Sequence, residues 1–280
     1  MEREASPASP GVALTGSVPP PRPGHRRALT GFLLDALIAV AVLLLVSVAS
    51  GLAWVLVRIA QLALRGNLPA DLRVLVSGLG QPGPLSMLWM TLLSTGTAAL
   101  VVYYWRRRAS AAELAISYSA VRQPSTWGWV LGTAAIAFVF SSTMSAVGKA
   151  FDIAPAPTNL PVIEAAFVAS PVFMWLFGTL LAPAYEELLF RRVLFGRLWA
   201  AGRPWLGLLL SSAAFALMHE IPGTSGNSLA ATGLLWLTYA FLGAAFGLVY
   251  WRTRTLWAAI AAHALNNAIA LGLLKLYGVD

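Results

Sequence analysis

The sequence has no cysteine and very little charge. Only 11% of its 280 residues are charged, whereas a soluble domain of this size carries about a quarter. The absence of cysteine excludes disulfide bonds, thiolate catalysis and cysteine-ligated zinc. Hydrophobic residues make up 58% of the chain, and the mean hydropathy is +0.73. This composition predicts an all-α, polytopic membrane protein.

Acidic residues are scarcer than basic ones. The chain carries 11 Asp and Glu against 19 Lys and Arg, which gives a formal net charge of +8. Most of the positive charge lies between apolar runs, as the positive-inside rule expects for a protein oriented in a lipid bilayer. The basic balance therefore indicates orientation in the membrane, and we expect no nucleic-acid partner.

The chain divides into a tail and two groups of apolar segments. Residues 1–27 are rich in Pro, Ser, Gly and Arg and predict a disordered cytoplasmic tail. Residues 28–167 are interpreted as N-terminal transmembrane helices and residues 168–275 as a catalytic helical core. About seven or eight transmembrane helices are expected. The seven candidate spans are 36–57, 85–105, 127–148, 168–190, 205–219, 229–251 and 256–275.

Loop charge predicts the orientation. The loops at 106–108, 191–203 and 252–254 are basic, whereas the loops between them are poor in Lys and Arg. With seven spans this alternation places the N-terminus in the cytoplasm and the C-terminus outside, although the loop after the first span fits less well. An eighth span or a re-entrant segment near 149–167 would change the side of the C-terminus. We expect a multi-pass protein of a bacterial plasma membrane.

Two adjacent carboxylates, Glu186 and Glu187, end the fourth apolar run. A charged residue in such a run costs about 2.5–3.5 kcal/mol to insert, so it is rarely kept without a partner or a role. Glu187 and Arg191 are spaced i, i+4, with the acidic residue first, which is the favourable orientation for an ion pair. Glu186 points about 100° away around the helix and is free for another role.

Two histidines lie in later apolar segments and are expected to meet Glu186. Helical rise places Glu186 and His219 at the same level, and His263 in the same cytoplasm-facing half of the membrane. Asn267 shares a helix face with His263. Pro183 should free a backbone carbonyl and bend the helix before the carboxylates. The sequence therefore predicts an intramembrane polar cavity lined by Glu186, His219, His263 and Asn267.

A carboxylate, two imidazoles and an amide suit the activation of water for hydrolysis. Glu186 would act as general base. The other groups would either bind a divalent metal or stabilise an oxyanion directly. Glu186, His219 and His263 match the three-ligand pattern of catalytic zinc, in which case Glu187 would be the nearby spare base.

Three motifs in order carry a family resemblance. They are Glu186–Glu187–x–x–Phe190–Arg191, Phe215–x–x–x–His219 and His263–x–x–x–Asn267. Over roughly residues 168–270 the chain resembles the CPBP (Abi) family, which includes type II CAAX prenyl endopeptidases and bacteriocin-immunity-like membrane proteins. The resemblance implies an intramembrane endopeptidase, usually described as a metalloprotease, that cleaves membrane-embedded or lipidated peptides. It implies catalytic roles for Glu186, His219, His263 and Asn267, with Glu187 and Arg191 beside them.

Two other functions are alternatives to an endopeptidase that uses Glu186. Gly223–Thr224–Ser225–Gly226 has the form of a rhomboid-type serine nucleophile with His263 as its base, but it leaves the two carboxylates and His219 without a role. The segment after His219 lacks the second histidine of an H-E-x-x-H zinc site, so a zinc protease with that motif is not expected. A non-catalytic scaffold or immunity protein is the alternative from another class.

Overall fold

The computed structural model describes residues 25–278, and these residues form ten helices and no strand. The tail predicted over 1–27 lies mostly outside the described residues, and its last three residues belong to the first helix. The helices are α1 His25–Leu64, α2 Leu72–Leu79, α3 Pro84–Arg106, α4 Ala111–Val121, α5 Pro124–Ala150, α6 Leu160–Ala169, α7 Pro171–Ala200, α8 Pro204–His219, α9 Leu229–Thr253 and α10 Leu256–Tyr277. The predicted all-α membrane fold is confirmed.

Six of the described helices are long and apolar enough to cross a membrane: α1, α3, α5, α7, α9 and α10. The predicted span at 205–219 corresponds to α8, which has 16 residues. At 1.5 Å per residue such a helix is about 24 Å long, short of the ~30 Å hydrocarbon core. Pro204 opens α8, and the chain leaves the helix after His219, which fixes this length.

Helix α7 lies at the centre of the bundle. It packs against α3, α8 and α10, while α1 packs against α3, and α5 packs against α9 and α10. In its most apolar window 44% of the residues are buried, compared with 17% in α1. The N-terminal helices and the residues after 168 therefore share one core, and α7 carries polar side chains into the middle of it.

A buried carboxylate joins three helices at one end of the bundle. Asp35 of α1 is 0% exposed. It accepts hydrogen bonds from Arg106 at the end of α3 and from Arg197 of α7. Because an unpaired buried carboxylate is costly, this contact fixes the relative positions of the three helices.

Helix α4 is attached to α7 by a second ion pair. The side chain of Ser110 caps α4, and Glu113 accepts the Ser110 backbone N–H at 2.9 Å in return. Arg192 of α7 donates two hydrogen bonds of 2.8 Å to the same Glu113 carboxylate. The pKa of Glu113 lies at about 2, below the ordinary 4.5, chiefly because of the hydrogen bonds from Arg192.

The ion pair of Glu113 gives the stability of the fold a pH dependence. A carboxyl group whose pKa falls on folding stabilises the protein above its unfolded pKa, and this contribution is lost as the pH falls through the folded pKa. We predict that Glu113→Gln lowers the Tm at pH 7, because it removes the charge while its amide oxygen still accepts the capping hydrogen bond. The deficit should shrink as the pH falls from 4.5 towards about 2.

Thermal unfolding of both proteins in one detergent at pH 7, 4 and 2.5 measures this effect. Glu164→Gln is the matched control, since the structure places no cation within ion-pair distance of Glu164. A Tm deficit for Glu113→Gln that is equal at every pH would contradict the ion pair.

Candidate active site

Two π-helical segments of α7 flank the paired carboxylates. Phe177–Leu181 lies before them and Leu188–Phe195 after them, with a short α-helical segment of six residues, Ala182–Glu187, between the two. Segments of π-helix are rare and occur frequently at functional sites. The short segment that carries Glu186 and Glu187 is thus separated from regular helix on both sides.

Pro183 frees a backbone carbonyl, as the sequence predicts. The N–H of Ala182 donates to the carbonyl of Phe177, five residues earlier. Pro183, the next residue, has no N–H to continue this ladder to Gly178. Asn267 of α10 supplies the missing donor, because its Nδ2 lies 2.9 Å from the Gly178 carbonyl oxygen.

Helix α10 approaches this segment closely because residue 178 is glycine. A Cβ atom at Gly178 would lie 2.8 Å from Cδ1 of Leu271, one turn after Asn267. The two contacts lie on one face of α10 and hold it against the π-helical segment. Asn267 therefore has a structural role. The catalytic role predicted for it stays a prediction.

Glu187 contacts two side chains at once and is completely buried. Its Oε2 lies 2.9 Å from Nε of Arg191, which confirms the predicted i, i+4 pair, and both side chains are 0% exposed. Its Oε1 accepts a 2.8 Å hydrogen bond from Nδ1 of His263. Glu187 therefore fixes the orientation of one imidazole, a contact that the sequence analysis missed.

The guanidinium of Arg191 is enclosed by aromatic rings. Its carbon lies 4.7 Å from the centroid of Phe215, 5.7 Å from Phe246 and 5.8 Å from Phe190. Attraction between a cation and aromatic faces partly replaces hydration in such a dry site. The motif phenylalanines Phe190 and Phe215 thus contact the arginine, and their own rings meet edge to face at 5.2 Å.

In each imidazole Nδ1 makes a hydrogen bond within the protein, which leaves Nε2 available to interact with Glu186. Nδ1 of His219 lies 2.9 Å from the Phe215 carbonyl oxygen, which can only accept, so this nitrogen carries a proton. Aromatic rings fix both planes, because Tyr239 stacks on His219 and Phe246 stacks on His263, each with centroids 4.6 Å apart. Tyr239 and Phe246 have no pattern in the sequence that would mark them.

Glu186 faces both imidazoles. Its Oε2 lies 3.7 Å from Nε2 of His219 and 3.9 Å from Nε2 of His263. This oxygen is buried and has no hydrogen-bond partner among the described residues. The structure therefore brings together three of the four residues predicted to be catalytic, on three separate helices.

The three groups of the site are partly buried. The side chains of Glu186 and His219 are 19% and 18% exposed, and that of His263 is 5% exposed. Two cavities of about 450 and 520 Å³ in the described part of the chain are lined by other residues. The polar site predicted within the bundle is therefore partly accessible.

The metal set predicted from the sequence fits zinc by donor type. Zinc-ligating histidines commonly donate their other ring N–H to a carboxylate or carbonyl, as His219 and His263 do. Nevertheless, residues 25–278 contain no group of three or more His, Cys, Asp or Glu side chains that could hold a metal ion. Metal binding by Glu186, His219 and His263 therefore stays a prediction.

Ser225 does not contact His263. Its hydroxyl donates a 2.6 Å hydrogen bond to Oε1 of Glu220, a buried carboxylate in the loop after α8. Glu220 also accepts hydrogen bonds from Thr158 and Asn227. Nδ1 of His263 is meanwhile committed to Glu187. The geometry gives no support to a serine nucleophile at this position.

Comparison with known proteins identifies the segment that carries the site. Residues 168–269 match the family described as type II CAAX prenyl endopeptidase Rce1-like. A Bacillus subtilis (strain 168) protein named "Putative membrane peptidase YdiL" is 27% identical over 121 residues. The alignment covers 43% of this chain and 45% of that protein. No solved structure matches the chain significantly. The resemblance predicted from the three motifs is thereby confirmed, since residues 168–269, which carry all three, match the Rce1-like type II CAAX prenyl endopeptidase family.

Proposed function

We propose that the protein is an intramembrane endopeptidase in which Glu186 activates a water molecule between His219 and His263. Two findings support the proposal, namely the family match over residues 168–269 and the convergence of the three side chains. The substrate class that we propose is a membrane-embedded or lipidated peptide. We also propose a bacterial plasma membrane, a cytoplasmic N-terminus and a site towards the cytoplasmic leaflet.

The position of Glu186 Oε2 is the observation on which the proposal depends. Its distances of 3.7 and 3.9 Å to the two Nε2 atoms exceed those of direct hydrogen bonds. Polar groups more than about 3.5 Å apart can interact through a bridging water molecule. A water in this position has a carboxylate to accept its proton and imidazoles to orient its oxygen.

The proposed reaction needs two proton transfers. Glu186 takes a proton from water while the hydroxide oxygen attacks the carbonyl carbon of the peptide bond. The Nε2–H group of His263 donates a hydrogen bond to the developing oxyanion and keeps its proton. When the C–N bond breaks, Glu186 returns the proton to the leaving amine, which restores the starting state of the enzyme.

A divalent metal, with zinc as the first candidate, is the second form of this proposal. The support for it is that both histidines leave Nε2 available after Nδ1 is engaged. A bound metal would polarise the carbonyl or lower the pKa of water. Metal analysis of the purified protein, followed by chelation and zinc add-back with cleavage as the readout, decides between the two forms.

Substitutions at three residues test the assignment. We predict that Glu186→Gln reduces cleavage of a fluorogenic hydrophobic or prenylated peptide by the reconstituted protein at least about 100-fold, because a general base contributes this much. His263→Ala should have a comparable effect, since it removes the oxyanion donor. Ser225→Ala should retain the wild-type rate, because that hydroxyl contacts Glu220 and not the site.

The same assay separates the alternatives. Cleavage that survives Glu186→Gln and is lost in Ser225→Ala would indicate a serine protease. A well-folded wild-type protein that cleaves none of the peptides, prenylated or plain, would favour a scaffold or immunity protein. Size-exclusion profiles and Tm values of all variants exclude misfolding as the cause of lost activity.

The pair Glu187–Arg191 is predicted to have separable effects on stability and activity. Glu187→Gln or Arg191→Gln alone should destabilise the protein by about 3–5 kcal/mol, because each leaves a buried charge without its partner. The double variant with the two charges exchanged should recover part of the lost Tm. Cleavage should not recover with it, because an arginine at 187 cannot accept the hydrogen bond that Nδ1 of His263 donates to the native carboxylate.

Thermal unfolding and cleavage of the two single variants and the exchanged variant measure these effects. No recovery of Tm in the exchanged variant would contradict an ion pair. Full recovery of cleavage would contradict the role of Glu187 in positioning His263.

A further inference from the structure

A cavity of about 520 Å³ lies apart from Glu186 and the two imidazoles. It is bounded by α4, the C-terminal half of α7 and the start of α10. Most of its surface is apolar, with walls that include Leu114, Ile116 and Ile260. Its polar side chains include Arg107, Arg192 and Arg254.

The cavity lies at one face of the membrane bundle. Helix α3 ends at Arg106 and α5 begins at Pro124. Helix α4 connects them and therefore lies at the face of the bundle where α3 ends and α5 begins. On α4, Leu114 and Ile116 are 44% and 47% exposed. Apolar side chains exposed at such a level meet the boundary between lipid headgroups and acyl chains.

Positive charge exceeds negative charge around this cavity. Asp35 is paired with Arg197 and Glu113 is paired with Arg192, so each of these carboxylates already has a cation. Arg107 has no carboxylate within ion-pair distance in the described part of the chain. Burial, and then the nearby cations Arg192 and Arg197, lower the pKa of Arg107, as expected for a guanidinium without a counterion.

Two arginines that line the cavity are available for an anion. Arg107 donates from Nη2 to the Gly196 carbonyl at 3.0 Å, and its Nε is buried without a partner. Arg254 follows the last turn of α9, is exposed, and makes no ion pair with the residues that the structure describes. Among the described residues neither guanidinium has a carboxylate partner, so an anion in the cavity would meet two cations without a counterion.

We propose that this cavity binds the phosphate of an anionic phospholipid. The phosphate would contact Arg107 and Arg254, and one acyl chain would lie on Leu114, Ile116 and Ile260. Guanidinium groups match phosphate oxygens in geometry and charge. An apolar wall beside them selects an amphiphile over a free anion, because a free phosphate leaves that wall in contact with water.

The bound lipid would contact the helix that carries the site. Ala184 and Leu188, on either side of the paired carboxylates, line the same cavity. A ligand that binds only the folded protein raises its thermal stability. The lipid therefore has an effect on Tm that can be measured independently of any peptidase activity.

Delipidated protein in a neutral detergent is the sample for the test. Dioleoylphosphatidylglycerol, dioleoylphosphatidylcholine and inorganic phosphate are added separately, and the Tm and the lipid occupancy by native mass spectrometry are measured. Phosphatidylglycerol should bind and raise the Tm, whereas phosphatidylcholine and inorganic phosphate should do so weakly or not at all.

Substitutions locate the site. Arg254→Gln and Arg107→Gln should each weaken phosphatidylglycerol binding roughly tenfold, since each removes a charge-assisted contact. Arg252→Gln is the matched control, because Arg252 is exposed, lies two residues from Arg254 and does not line the cavity. Arg107→Gln also loses the hydrogen bond to the Gly196 carbonyl, which could impair its folding. In that case Arg254→Gln alone tests the proposal.

Several results would overturn the proposal. Equal stabilisation by phosphatidylglycerol and phosphatidylcholine would show that the anionic headgroup is not recognised, and equal stabilisation by inorganic phosphate would show a site for a free anion. Equal losses in Arg252→Gln and Arg254→Gln would reduce the effect to surface charge. Stabilisation by an apolar peptide with a free carboxylate, without any by phosphatidylglycerol, would assign the cavity to a peptide.

Discussion

The carboxylate of Glu187 is the contact on which the rest of the site depends. It neutralises Arg191, whose side chain is 0% exposed, and it accepts a hydrogen bond from His263 of another helix. A buried charge deprived of its partner costs about 3–5 kcal/mol, so the fold depends on the Glu187–Arg191 pair. Because one carboxylate makes both contacts, the packing of α7 against α10 and the orientation of an imidazole are set together.

This arrangement leaves the neighbouring carboxylate for chemistry. Within residues 25–278 Glu186 makes no ion pair with an arginine, and its buried oxygen faces Nε2 of His219 and of His263. Both rings are held by stacked aromatic residues and by hydrogen bonds at Nδ1, so the groups are positioned before a substrate arrives. Such preorganisation lowers the cost of reaching a transition state. Two adjacent residues of the same type thus have different roles because the helix points them in different directions.

Local features of the site could be predicted from the sequence, and its long-range contacts could not. The Glu187–Arg191 pair follows from i, i+4 spacing, and the carbonyl freed at Pro183 follows from the missing N–H. The contact of Glu187 with His263 joins residues 76 positions apart. Helix α10 is apolar on most sides, so its periodicity does not show which face meets α7. The sequence places Asn267 on the same helix face as His263. For the reason just given, it does not predict the hydrogen bond from Asn267 to the backbone of α7.

Histidine-selective ¹⁵N labelling tests the central claim most directly, because the chain has three histidines and two of them lie in the site. Solid-state NMR of the protein in bilayers should show Nδ1 of His219 and of His263 protonated. Replacement of Glu186 by glutamine should shift the Nε2 resonances of both residues, since one carboxylate faces both rings. Nε2 resonances that stay unchanged, or that move for one ring alone, would contradict the proposal that Glu186 acts between the two imidazoles.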